Sequence, residues 1–185
     1  MRKHGPRDSI CVRVPTVWNW KISRRTDCLF GMFGGEIPRR ITAGQFAEAE
    51  EAIQWYKNLF GDDFYLELQR HKATVPRANH ETYKLQEVVN QKLVEYSKKY
   101  NIKLVCTNDV HFVDEENAEA HDRLICLSTG KDLDDPNRML YTKQEWMKTR
   151  EEMNEVFADV ADLTGKDSYL QLAHRFHTVR FSTLC

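Results

Sequence analysis

The sequence predicts an α/β fold, part of a barrel or of a doubly wound sheet, in which parallel strands alternate with flanking helices. Three observations support it. Short apolar runs at 64–68 and 102–106 lie about 38 residues apart, the spacing of a βαβ unit. The stretches before each run carry apolar residues at intervals of three and four, the helical period. Polar residues gather just after each run, at the strand ends where parallel sheets place their ligand sites.

Residues 1–30 hold seven Lys/Arg against two Asp, with two tryptophans and two prolines in no sustained period, so no element is assigned over 1–33. From Gly34 the chain becomes regular. Gly34-Gly35-Glu36-Ile37-Pro38 leads into a helix with Phe46, Ala49, Ile53, Tyr56 and Phe60 on one face, stopped by Gly61. Phe64 to Leu68 reads as a buried strand with a polar exit at Gln69-Arg70-His71. The segment from about Asn79 to Tyr100 is a long amphipathic helix with Leu85, Val88, Val89, Leu93 and Tyr96 inward, and Asn101 suits its left-handed cap.

Ile102 to Cys106 is the second strand, and Thr107-Asn108-Asp109-Val110-His111-Phe112 leaves its C-terminal end. Asp114 caps a helix through about Ser128, with Ala118, Leu124, Ile125 and Leu127 as its apolar members. Residues 130–138 form a loop, and Thr142 with Glu145 three positions on is a capping box for a helix running to about Phe157. Beyond Asp159 the pattern decays.

At 185 residues, 41% hydrophobic and 30% charged, the chain suits one ordinary domain with a core. No apolar run of 18 residues and no signal-peptide core are present, so neither a membrane span nor secretion is expected, and cytoplasm is the expected compartment. Five scattered cysteines without a CxxC pair argue against a disulfide framework or a structural zinc knuckle. A net charge of −1 gives no overall nucleic-acid footprint. No Gly-rich phosphate loop or nucleophile elbow is present.

Asp109 and His111, two apart at a strand end, point the same way, and a carboxylate and an imidazole so placed can share a divalent cation. The competing reading is a loop aspartate bonded to backbone beside a surface histidine. Glu67 and His71 leave the neighbouring strand and approach the same end, or serve as an ion-pair partner and a solvated loop residue. Glu36, near a helix N-terminus, is a cap or a ligand. His121 can reach back to the Asp109–His111 loop or lie on a solvated helix face, and His174 and His177 lack a third ligand.

The strings at 34–38, 61–71, 107–112, 118–124 and 132–138, in this order, closely resemble the later part of the PHP domain in the alpha subunit of bacterial DNA polymerase III. The resemblance implies part of a distorted (βα)7 barrel, with 34–158 its C-terminal part and 159–185 a divergent tail. It implies metal-dependent phosphoester hydrolysis in complete members, with a divalent ion such as Zn, Mn or Mg held by His, Asp and Glu at the strand ends. Asp109 and His111 match the last ligand motif, and Glu36 falls where another ligand is expected.

The opening His-x-His motif belongs before Gly34, where His4 is the one histidine, so an incomplete ligand set is expected. The catalytic aspartates of nucleotidyl transfer are also not found, which leads to a fragment of a DNA-directed DNA polymerase subunit without its polymerase site. The loss of pattern at both ends leads to the further expectation of a shifted frame or damaged gene. Family partners are primer-template DNA and other holoenzyme subunits: the sliding clamp, proofreading subunit and clamp loader. The alternatives are a PHP-type phosphoesterase and a non-catalytic α/β interaction module.

Overall fold

A computed structural model describes residues 28–30 and 35–160. The expectations for 1–27, for Gly34 and for the tail with His174 and His177 lie outside these residues. Among the described residues the sheet has three strands, β1 (Cys28–Phe30), β2 (Phe64–Gln69) and β3 (Lys103–Thr107), in that spatial order. Both pairings are parallel, as the alternation of strand and helix predicts. β1 lies where the sequence supported no element; three residues are too few to show a period, and its pairing with 64–66 is a long-range contact.

The helices are α1 (Glu36–Thr42), α2 (Phe46–Phe60), α3 (Glu81–Tyr100), α4 (Ala118–Thr129) and α5 (Arg150–Val156). α1 and α2 are separate because Gly44 adopts φ 73° between them. α2 ends at Gly61, whose φ of 59° with ψ of −124° is costly for a residue with a Cβ. Asn101 takes the left-handed conformation at the end of α3, as its position predicts. At the front of α3 the Asn79 side chain accepts from the amides of Glu81 and Thr82.

All six residues of β2 are buried. Phe64, Leu66 and Leu68, with Leu104 and Cys106 of β3, meet Ile37, Ile53, Val89, Leu93, Met153 and Phe157 in one core. Strand alternation turns Tyr65, Glu67 and Gln69 to the other face. There Gln69 Nε2 donates to Glu67 Oε1 at 3.2 Å and to Thr107 Oγ1 at 3.3 Å. Each fully buried Leu or Phe of the core contributes about 1.5–3 kcal/mol.

Several helical faces differ from expectation. Leu85 and Val88 of α3 are 47% and 51% exposed, whereas Val89, Leu93 and Tyr96 are buried as expected, in a stripe that also takes in Gln86, Asn90 and Ser97. The stripe turned because Gln86 and Asn90 bond inward, to His71 and to the Gln69 carbonyl. Phe46 of α2 is exposed, its ring under the Lys92 ammonium. In α4 the inner residues are Ala118, Asp122 and Cys126, while Leu127 is 80% exposed. The Arg138 guanidinium drew α4 round, because it forms a buried two-pronged pair with Asp122.

The helix expected from Thr142 does not form there. The Thr142–Glu145 bonds exist, the Thr142 amide donating to Glu145 Oε1 at 3.0 Å, but residues 139–149 run as an irregular strap. α5 begins only after Thr149, whose own box with Glu152 is complete.

Candidate functional site

The site is built at the C-terminal end of β3. Asn108 is buried, and its amide donates to the carbonyls of Gln144 and Trp146. The amide of His111 donates to the Glu145 carbonyl at 2.7 Å, and that of Phe112 to the same oxygen at 3.3 Å. Phe112 and Trp146 form a parallel bridge. The carbonyls of 144–146 therefore hold both flanks of the loop, Asn108 through its side-chain Nδ2 and His111 and Phe112 through their backbone amides. Between them Asp109 sits at φ 41°, a left-handed conformation that Asp tolerates better than most residues.

This geometry brings Asp109 and His111 together, Oδ2 and Nε2 being 3.5 Å apart. The His111 ring lies 5.5 Å from the ring of His121 and 4.9 Å from that of Tyr141, centroid to centroid. His121 and Tyr141 are themselves 4.9 Å apart, and Phe112 closes on His121 at 5.2 Å. Burial, and then the neighbouring His111, holds the His121 pKa below its usual value. Burial, and the carboxylates of Asp109 and Glu145, raise that of the Tyr141 phenol. Lys148, folded over the Trp146 ring at 4.1 Å, is pushed by burial down to about 8.

The other candidates have structural partners. His71 is buried, with Gln86 Nε2 donating to Nδ1 and Nε2 donating to the Asn108 carbonyl, each at 3.0 Å. Its expected solvation is thus replaced by a closed hydrogen-bonded position. Glu67 accepts from Thr107 and Gln69. Glu36 opens α1, pairs with Arg40 and accepts from the Tyr56 hydroxyl at 2.8 Å. It thus ties α1 to α2, and no described contact joins it to Asp109 or His111.

Asp109 and His111 suit a divalent cation by donor type. Among the described residues, however, no three His, Cys, Asp or Glu side chains are grouped as a metal centre requires. Two donors fit a metal and a full set is not formed, so no hydrolytic step is derived through one.

Sequence reasoning singled out the Asp109–His111 pair and left two readings for His121, a solvated helix face or a reach back to the loop, of which the second is the one observed. Tyr141 escaped it altogether. Tyr141 reaches His111 from thirty positions away in the sequence, and an aromatic residue in an irregular segment carries no period that would mark it.

The PHP domain family matches residues 13–71. Residues 13–71 therefore carry PHP-domain sequence. The match takes in β1, α1, α2 and β2 and includes residues 13–33, for which no element had been assigned. The PHP-bearing chain is 40% identical over 143 residues to the DNA polymerase III subunit alpha of Borreliella burgdorferi, covering 77% of this chain and 12% of that protein. It is 33% identical over 171 residues to that of Caulobacter vibrioides, covering 91% and 14%. To that of Thermus aquaticus it is 37% identical over 126 residues, covering 68% and 10%. The chain thus spans 10–14% of the length of these relatives. Among the described residues no helix is long and apolar enough to cross a membrane.

Proposed function

We propose that this chain acts as part of the PHP region of a replicative DNA polymerase III alpha subunit, with Asp109 and His111 supplying two ligands of a divalent-metal site. The observation that carries the proposal is the meeting of these two side chains at the end of a parallel strand, in a chain with PHP-domain sequence and alpha-subunit relatives. Residues 34–158 are its later PHP part, and the remaining ligands belong to segments other than the described ones. Zn, Mn and Mg are the candidate ions. Glu36 joins the set only by giving up Arg40 and Tyr56, so the proposal rests on Asp109 and His111. In this setting the partners are primer-template DNA and the other holoenzyme subunits, the compartment is the cytoplasm, and nucleotidyl transfer is carried by other parts of the subunit.

Elemental analysis of the purified chain tests the metal reading. Stoichiometric metal in the wild type, lost in Asp109→Ala/His111→Ala, is the expected result. Metal retained by the double variant, or none in the wild type, would sink it.

A further inference from the structure

We infer that His121 and Tyr141 are positioning residues for His111, an aromatic clamp that fixes the plane of its imidazole for metal binding. The inference deepens the metal reading of Asp109 and His111 and rests on it.

A ligand histidine binds well when its ring is already oriented. The usual device is a hydrogen bond from the second ring nitrogen to a carboxylate or carbonyl, and losing that support typically costs about 10–100-fold in metal affinity. At His111, Nε2 faces Asp109 Oδ2, its companion in the metal reading, at 3.5 Å. Orientation comes from rings instead. Tyr141 meets the imidazole edge to face, with planes 64° apart and centroids 4.9 Å apart. His121 lies tilted at 48° and 5.5 Å. Because His121 and Tyr141 also meet each other, at 83° and 4.9 Å, the three rings form a closed triangle in which none can turn alone.

Both clamp residues are anchored independently of His111. His121 is carried on α4, whose next residue, Asp122, is locked to Arg138. Tyr141 sits at the start of the strap, where its carbonyl accepts from the Asn79 amide at 2.9 Å. The clamp is therefore a rigid frame against which the loop is set. His121 acts here through its ring, so a phenyl ring in its place keeps the function.

The test uses the full chain and two readouts. In metal-free protein the His111 ring-proton resonances report orientation through ring-current shifts. In wild type, His121→Phe and Tyr141→Phe they are displaced from random-coil positions, and in His121→Ala and Tyr141→Ala they collapse toward them. With Co²⁺ as probe, followed by its visible spectrum, the two Ala variants bind about 10-fold or more weakly while the Phe variants stay within a few-fold of wild type. His111 resonances that do not move in the Ala variants would overturn the clamp, whatever the metal does. Loss of Co²⁺ binding in His121→Phe as severe as in His121→Ala would overturn it as well, since His121 would then be a ligand. Displaced His111 resonances in a wild type that binds no Co²⁺ would leave the clamp standing and remove the metal reading beneath it.

Discussion

At His71 both ring nitrogens and the backbone amide are engaged, so its neutral form is built into the strand end. Burial is the main cause holding its pKa below 6.5, and burial does the same for His121. In the unfolded chain these groups take up protons near pH 6.5, so the unfolded state binds more protons below that point. Their stabilisation is therefore complete above pH 6.5 and lost as pH falls through the folded values. We predict a melting temperature that drops between pH 7 and 5, with a shallower drop in His71→Gln; an equal slope in the variant would contradict the assignment. Asp122 shifts in the same direction, its favoured deprotonated form being the charged one, so its contribution is also lost as pH falls. Its pairing with Arg138 holds the carboxyl below the usual range, and both side chains are buried. Asp122→Ala leaves the guanidinium without its partner and is expected to cost about 3 kcal/mol in urea unfolding; Arg138→Met with Asp122→Leu should recover much of that.

At the scale of the element, the strap and α5 show what was legible and what was not. The same Thr-x-x-Glu pattern occurs at Thr142–Glu145 and at Thr149–Glu152, and local chemistry cannot rank them. The second box forms both of its bonds and starts a helix, whereas in the first the Glu145 side chain accepts from the Thr142 amide but Thr142 Oγ1 accepts from the Gln144 amide. Residues 144–146 are drawn instead to Asn108, His111 and Phe112, partners more than thirty positions away. Thr149→Ala should therefore cost about 1 kcal/mol and fray α5. Thr142→Ala should leave helix content unchanged while loosening the strap, which amide exchange at His111 would report. Equal loss of helical circular dichroism in both variants would sink this distinction. β2 and β3 were legible because short apolar runs between long amphipathic helices leave few other readings. α3 was legible in extent, but its inward stripe depended on hydrogen bonds from Gln86 and Asn90, which a count of apolar positions passes over. The Asp109–His111 pair was legible because its members are neighbours in sequence; the rings around it come from α4 and the strap.

Across the whole molecule the C-terminal end of the described chain is clasped to the sheet by Arg70. Its guanidinium pairs with Asp159, donates to the Val156 carbonyl at 3.1 Å and lies 5.2 Å from the Phe157 ring centroid. Asp159 is largely exposed, so the ion pair itself contributes little, and the contacts to Val156 and Phe157 matter more. Arg70→Ala is expected to cost about 1–2 kcal/mol, and Arg70→Lys less, measured by denaturant unfolding. Among the described residues β3 pairs on one side only, and an open edge invites association. Concentration-dependent sedimentation of the isolated chain is the expected result; a monomer with one cooperative melt would contradict it. The sheet also has a spatial order that equals its order of synthesis, β1 then β2 then β3. A chain emerging from the ribosome can thus lay each strand on the one made just before it, without waiting for distant sequence. The loop bearing Asp109 and His111 is different. It takes its final shape only when residues 139–149 have been translated, so the Asp109–His111 pair is set in place after the strands of the three-stranded sheet have been made.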